Sequence, residues 1–488
     1  MPHAAFNLIA AAHDEMVHEG FSPDFPPGTD EQIAALRAAG QTTKDDGLPY
    51  GSDLRELLWS SIDNDTSRDL DQIEVAERVD GGIRVRVGVA DVDSRVVMDT
   101  PIDQHAFAQT TSVYAAVHTF PMLPEELSTD LTSLNEGQDR AAIVIEFVVA
   151  PNGSFAQSRI YRALVRNQAQ LTYSGVGAWL ESKASPPPKV AASSDLAAQL
   201  KLQDEAATAL RDQRHRLGAL EFDRSEPQAV ILDGKVHEIT ATHKNRANDL
   251  IEDFMVAANE VMACTLKDQG RSAIRRVVKT PERWPRIVEL AAQHGDKLPP
   301  EPDSGALNAF LQRQRAADPV HYPDLSLSVV KLMGPGEYVL SRASDDGQGH
   351  FGLAAHDYTH STAPNRRFAD LVTQRLIKAA WVGHSAPYTD DQLDAIARNC
   401  TLKEDAARKV ERTMLKRVAA VALQDRIGET FQAVVTGVTP KGVFVRVPHP
   451  PVEGRVMRGE QGLDVGDQVR VKLLHTDPQR GFIDFGRA

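Results

Sequence analysis

The 488-residue chain reads as an α+β multidomain protein: a small helical N-terminal domain, a large mixed α/β body and an all-β C-terminal barrel. Three patterns predict this. Two amphipathic helical stretches open the chain, apolar residues then alternate two-fold about the Gly-rich turn Val79-Asp80-Gly81-Gly82, and short alternating strands follow Gly428. A chain of this length buries at least one large core and divides into several domains.

Taken in order, residues 1–52 hold helical patterns from Phe6 to Met16 and from Asp30 to Ala39, parted by Phe25-Pro26-Pro27-Gly28. A small helical, winged-helix or helix-turn-helix domain is expected there. Residues 53–426 form the body. In it, Ile73 and Val75 precede the Gly-rich turn and Ile83, Val85, Val87 and Val89 follow it, as in a hairpin. Ser182 to Asp195, with Pro186-Pro187-Pro188, reads as a surface linker or insertion. Phe368, Leu371, Val372 and Leu376 give an apolar stripe after Pro364, so a helix is expected to start at that proline, capped by Ser361 or Thr362. In residues 427–488, strands carrying Phe431, Val434, Val435, then Gly442 to Val447, then Gly466 to Leu473 predict a five-stranded OB barrel.

The formal net charge is −14, which excludes an all-over anion-binding surface. Lys and Arg still gather from Arg271 to Arg286 and from Lys403 to Arg426, which predicts a local positive channel within an acidic exterior. The bland alternative for the later run is a solvated helix face, since Glu404 and Asp405 interrupt it. Cys264 and Cys400 support neither a disulfide framework nor a cysteine metal site and fit a reducing cytosol. No apolar run suits a membrane helix, and the first residues lack the basic flank of a signal peptide, so a cytoplasmic location is expected.

The segment Ile62 to Glu74 crowds Asp63, Asp65, Asp69, Asp71 and Glu74 into 13 residues. Such crowding needs protons, partners or a cation, and oxygen ligands select Mg²⁺, Mn²⁺ or Ca²⁺. Two readings compete. Asp63, Asp65, Ser67, Asp69, Asp71 and Glu74 fall on the ligand positions of an EF-hand, although Arg68 stands where its sharp turn requires glycine and a hairpin follows instead of a helix. The other reading is a catalytic Mg²⁺ site at the entrance of a strand pair. Asp65 and Glu74 could equally be solvated loop residues. Two further strings carry less: His356 and His360 have zinc-helix spacing without the expected glutamate, and Gly334-Pro335-Gly336 is a turn.

A series of blocks extends the second reading. Val89-Ala90-Asp91-Val92, Thr111-Ser112-Val113-Tyr114, Phe120-Pro121-Met122-Leu123-Pro124-Glu125-Glu126-Leu127-Ser128 and Ser133-Leu134 are followed by Gly218-Ala219-Leu220-Glu221-Phe222-Asp223. Then come Leu250-Ile251-Glu252-Asp253-Phe254-Met255, His350-Phe351-Gly352-Leu353 and Tyr358-Thr359-His360-Ser361-Thr362-Ala363-Pro364-Asn365-Arg366-Arg367-Phe368-Ala369-Asp370-Leu371. In this order, from about Leu57 to Ala380, they resemble the catalytic RNB domain of the ribonuclease II and ribonuclease R family. The resemblance implies a Mg²⁺-dependent, hydrolytic, processive 3′-to-5′ exoribonuclease that releases nucleoside 5′-monophosphates, with Mn²⁺ as a substitute ion. Its acidic signature falls on Asp63, Asp69, Asp71 and Gln72, the last in place of a carboxylate. These four are the expected metal ligands, with Asp71 and Asp69 also catalytic and Asp71 the most sensitive.

By the same resemblance Arg366 contacts the scissile phosphate and Tyr114 stacks on the 3′-terminal bases; Arg367, Glu252 and Glu411 lie near bound RNA. The C-terminal barrel resembles the RNA-binding OB type first known from a small-subunit ribosomal protein. Phe444 and Phe431 are candidates to stack bases and Arg446 and Lys472 to meet phosphates, although strand alternation could bury one ring. Family members commonly carry cold-shock-type barrels before the catalytic domain, for which this chain has no room. The N-terminal helices are left with RNA handling or packing as roles. The expected partner is single-stranded RNA, with no membrane and no obligate protein partner, the chain acting as a monomer. Two other readings remain: a catalytically impaired RNA-binding protein of the same fold, suggested by Gln72, Gly88, Asp93 and Phe368, and a calcium-responsive binder.

Overall fold

Helix α1 (Leu8–His18) begins where the Asn7 side chain accepts the Ala10 N–H at 3.0 Å, an ordinary N-cap. The computed structural model describes residues 6–39, 52–222, 226–232, 235–319, 321–345 and 349–488. Stretch 40–51 and Asp223 of the quoted blocks lie outside them. Helix α1 packs Ala12 and Met16 against Val113, Val410 and Met414, and Arg417 reaches Glu15 at 2.8 Å and the Ala11 carbonyl at 3.1 Å. Helix α2 (Thr29–Ala38) docks elsewhere. Its Gln32 amide donates to Thr100 at 3.0 Å, and Ile33 joins the large central core. Among the described residues the two helices share no core and no wing pairs with them; each rests on the body.

The body is built on a seven-stranded sheet in the order β1-β8-β7-β4-β3-β2-β9. The first four strands are β1 (Ser52–Asp53), β2 (Ser60–Asp63), β3 (Gln72–Val79) and β4 (Gly82–Ala90). A small ribbon, β5 (Val113–Tyr114) with β6 (Thr119–Phe120), follows helix α3 (Pro101–Gln109). Then come β7 (Asp139–Val149), β8 (Phe155–Arg166) and β9 (Ala169–Thr172). The expected hairpin is β3–β4, closed by Asp80 and Gly81. Gly81 sits at φ 89°, and a Cβ on Gly82 would lie 2.0 Å from the Val149 carbonyl oxygen, so both positions require glycine.

Helices α4 (Tyr173–Leu180), α5 (Pro188–Ala191), α6 (Ser194–Arg216) and α7 (Arg246–Asp268) follow. The linker expected over 182–195 therefore contains a helical turn and the start of α6, with Val190 buried in the core. Leu200 of α6 and Phe254 of α7 pack in one core with Ile73, Val85 and Val87 of the sheet. Burying each such side chain contributes roughly 1.5–3 kcal/mol. Strands β10 (Glu226–Leu232) and β11 (Lys235–Thr242) form a separate hairpin, and β12 (Ala273–Val277) pairs with β13 (Glu337–Ser341). Between the latter two, α8 (Trp284–Gln293), α9 (Ser304–Ala317) and α10 (Tyr322–Met333) enclose their own core around Trp284, Phe310 and Val329.

Helix α11 (Phe368–Trp381) starts four residues beyond Pro364, with Arg367 as its N-cap. The start expected at the proline is displaced because backbone donors and acceptors there are already used. Ser112 N–H donates to the Arg366 carbonyl at 3.0 Å and Phe368 N–H to Thr110 at 2.8 Å, so the chain runs as a strand-like rung before turning helical. Helix α12 (Asp390–Ala422) is capped by a Thr389–Gln392 box and spans from the body to the barrel. Its basic residues are largely engaged, Arg408 with Glu404, Lys409 with Glu19 and Arg417 with Glu15.

Strands β14 (Thr430–Thr439), β15 (Gly442–Val447), β16 (Val452–Arg458), β17 (Gln468–Asp477) and β18 (Phe482–Arg487) close into the expected five-stranded barrel. Ala419, Ala420 and Leu423 at the end of α12 plug into its core. Phe431 points into that core against Phe485, ring centroids 6.3 Å apart, which removes it from the base-stacking candidates. Phe444 lies half-buried on the outer face and Lys472 is exposed, whereas Arg446 is held by Asp324 of α10.

Candidate active site

Strand β2 ends at Asp63, whose Oδ1 accepts the Asn64 N–H at 2.7 Å and the Ser67 hydroxyl at 2.9 Å. The loop that follows is pinned from outside. Ser133 Oγ accepts the Leu70 N–H at 3.0 Å and donates to the Arg68 carbonyl at 2.8 Å, and Ala90 N–H donates to the Asp71 carbonyl at 2.9 Å. Asp71 is thereby fixed at the mouth of the β3–β4 pair. The residues after the acidic run enter β3, and Asp65 turns aside to accept from Ser174 at 3.0 Å. With no exiting helix, the EF-hand reading is excluded.

Asp71 is buried, and its carboxylate is met from the segment after Pro364. Oδ1 accepts the Asn365 N–H at 2.9 Å and Oδ2 accepts the Arg366 Nε–H at 3.2 Å. Asn365 is oriented by Thr132, whose hydroxyl donates to its side-chain oxygen at 2.6 Å. Arg367 turns the other way and forms a two-pronged pair with the fully buried Asp370 at 2.9 and 2.7 Å. That pairing gives Arg367 a structural task at the start of α11.

The backbone rung that delays α11 also delivers Tyr114. Tyr114 remains 44% exposed at the mouth of the site, its phenol lies within electrostatic reach of Arg366, and its N–H donates to Glu411 at 3.3 Å. Glu252 on α7 is exposed and paired with Lys244, while Phe444 sits on the barrel. Asp63, Asp69, Asp71, Arg366, Tyr114 and Glu411 thus converge. The half-exposed guanidinium of Arg366 leaves room for an anion beside it.

Burial pushes the Asp71 carboxyl up to about 7, with Arg366 and the Asn365 N–H holding it down and Asp69 and Asp370 adding to the rise. Burial likewise raises Asp69. Burial raises the Tyr114 phenol to about 12. Burial disfavours the Arg366 cation, yet Tyr114, Asp71, Asp63 and Asp69 outweigh it and keep that group charged. Glu74 departs furthest from expectation: it is fully buried in β3, neither carboxylate oxygen has a hydrogen-bond partner, and burial together with repulsion from Asp63 lifts it well above the usual range. It is no solvated loop residue.

The structure adds Asn365, Thr132 and Ser133 as supports. Only the block positions of Ser133 and Asn365 hinted at them. The zinc reading fails because His356 is exposed, no helix spans 356–360 and His360 Nδ1 is bonded to Tyr338 Oη at 2.8 Å. Asp91, from the Val89-Ala90-Asp91-Val92 block, serves a buried ion network with Arg162 at 2.7 Å and with Lys378. Among the described residues no three His, Cys, Asp or Glu groups form a ready-made cation cage. The donor chemistry of Asp63, Asp69, Asp71 and Gln72, with the unsatisfied oxygens of Glu74 close by, nonetheless fits a hard divalent ion.

Residues 52–383 match the RNB domain, and residues 429–488 match the RNase II-type exonuclease C-terminal S1 domain. Ribonuclease R 1 of Lactococcus lactis is 28% identical over 473 residues, 89% of this chain and 56% of that protein. Ribonuclease R of Vibrio parahaemolyticus is 31% identical over 507 residues, 95% of this chain and 58% of that protein. The chain therefore spans little more than half the length of these two relatives. Among solved structures, Mycoplasma genitalium RNase R in complex with ribose-methylated single-stranded RNA superposes with a TM-score of 0.87 at 22% identity, covering 99% of this chain and 78% of that one. The fold is shared throughout, and the RNB match takes in Asp63 to Asp71, Tyr114 and Arg366 together. The chain belongs to the RNB exoribonuclease family and carries a C-terminal S1 domain.

Proposed function

We propose that the protein is a Mg²⁺-dependent, hydrolytic and processive 3′-to-5′ exoribonuclease that degrades single-stranded RNA to nucleoside 5′-monophosphates. One observation carries this reading: within the RNB match, buried Asp71 and half-exposed Arg366 share a hydrogen bond beside Asp63 and Asp69. Asp63, Asp69, Asp71 and Gln72 would hold the ion. When bound, Mg²⁺ polarises the scissile phosphate and acidifies water. Arg366 offers its free guanidinium edge to the phosphate oxygens and stabilises the charge that develops there. Tyr114 stacks on the terminal base and Glu411 fixes its backbone, so any base is held while the bond behind it is cut.

The barrel, joined to the body through α12, gives the strand a second contact at Phe444 and Lys472, which suits repeated cleavage without release. The retained Asp63, Asp69 and Asp71 favour catalysis over a purely RNA-holding role. No helix among the described residues is long and apolar enough to cross a membrane, and the working form we propose is a cytoplasmic monomer. The test uses 5′-labelled and 3′-labelled single-stranded RNA with Mg²⁺, Mn²⁺, Ca²⁺ or chelator. Labelled mononucleotide released at once from the 3′ label, with a shrinking 5′-labelled product, is expected in Mg²⁺ and Mn²⁺. RNA bound but unshortened in every ion overturns the proposal.

A further inference from the structure

Glu74 is a fully buried acidic side chain near the site that the proposed function leaves without a task. It lies on the same side of β3 as Gln72, two residues away, because side chains alternate along a strand. Its own surroundings offer nothing to its carboxylate. The residue is fully buried, both oxygens lack hydrogen-bond partners, and Ser60, directly across in the β2–β3 pairing, also has an unpartnered hydroxyl. A buried carboxylate with no donor is costly, and a core that wanted only bulk here would carry leucine or methionine. A cation held at Gln72, on the same side of the strand, would offset the cost of that buried charge. Gln72, being neutral, contributes a carbonyl oxygen and no charge.

We propose that Glu74 is an outer anionic partner of the divalent ion beside Gln72, supplying from within β3 the negative charge that Gln72 does not. This rests on the metal-site reading above. Glu74 is a positioning residue: it raises ion affinity and touches no substrate.

The test is Mn²⁺ titration of the full chain by calorimetry, together with the Mn²⁺-induced rise in melting temperature and the Mg²⁺ concentration giving half-maximal RNA hydrolysis. Glu74→Gln is expected to weaken Mn²⁺ about tenfold or more, as loss of an outer partner of a metal site does. It should shrink the Mn²⁺-induced thermal shift while leaving the metal-free melting temperature equal or higher. Glu74→Gln combined with Gln72→Asp, which restores the charge two residues away, should recover most of the lost affinity. Glu74→Met, similar in size, replaces the Gln variant if that one does not fold. Mn²⁺ affinity within about twofold of wild type in either folded variant overturns the role of Glu74. A wild-type chain that binds no Mn²⁺ overturns the metal-site reading itself, which is a separable result.

Discussion

Asp71 accepts the Arg366 Nε–H at 3.2 Å across a separation of 295 residues, and this pair ties the acidic loop of the sheet to the segment before α11. The anion that belongs to the ion and the cation that belongs to the phosphate are thus preset against each other. For Asp71→Asn, the charge is lost while the Asn365 contact is retained, so RNA binding, spread over Tyr114, Arg366 and the barrel, persists. Turnover is expected to fall by about 10²–10³ or more, read by single-turnover hydrolysis, with RNA affinity by filter binding changed only a few-fold. Unchanged turnover would remove Asp71 from the site.

Arg366→Lys tests whether geometry or charge matters. Lysine keeps a cation but cannot bond Asp71 through Nε and present a second edge to a phosphate. The expected outcome is a loss of turnover approaching that of Arg366→Ala, about 10²-fold or more. Recovery to near wild-type rates in the lysine variant would show that a point charge suffices.

Tyr114 has two separable parts, the ring and the hydroxyl. Tyr114→Ala removes the ring and should weaken RNA binding by about 1–3 kcal/mol. Tyr114→Phe keeps the stacking face and loses only the hydroxyl, which lies within electrostatic reach of Arg366, so its RNA affinity is expected to stay near wild type. Equal losses in the two variants would mean that the phenol, and not stacking, does the binding.

Much of this was legible in the chain because it is local. The β3–β4 hairpin follows from two-fold alternation and a Gly-Gly turn, and the barrel from strands spaced by glycines. The Asp63, Asp69 and Asp71 spacing, read with the resemblance, pointed to the acidic half of the candidate site. What escaped was long-range. The start of α11 depends on the partner strand at Thr110–Ser112, which no local propensity encodes. Arg446 and Arg367 have the composition of phosphate ligands, yet Asp324 and Asp370 occupy them. The burial of Glu74 depends on strands and helices packed around it, and the acidic neighbours in sequence suggested a solvated loop instead.

Phe431 and Phe444 separate core from surface in the barrel. Phe431→Ala should lower stability by about 3–5 kcal/mol, the cost of an emptied aromatic site. Because the end of α12 shares that core, the loss is expected to spread beyond the barrel. Phe444→Ala should instead leave the unfolding midpoint nearly unchanged and weaken binding of longer RNAs, measured by competition with short and long single strands. A reversed pattern would reassign the two rings.

His105 makes stability depend on pH in a direction that can be worked out. The ring is 5% exposed, its Nε2 has no hydrogen-bond partner, and it lies against Phe25 with centroids 4.3 Å apart. Burial depresses its pKa from 6.5 to about 4. Above pH 6.5 both folded and unfolded chains hold it neutral and no penalty applies. Between 6.5 and 4 the unfolded chain binds a proton that the folded chain does not, so stability falls with pH, reaching its full loss of about 3 kcal/mol below the folded value. His105→Leu removes this group and leaves the other buried acids and bases in place. The drop in unfolding free energy between pH 7 and pH 5 is therefore expected to be smaller in the variant by about 2 kcal/mol, measured by urea denaturation at the two pH values. If both proteins lose stability equally, the imidazole finds a charge partner in the folded state and its burial does not set the acid limit.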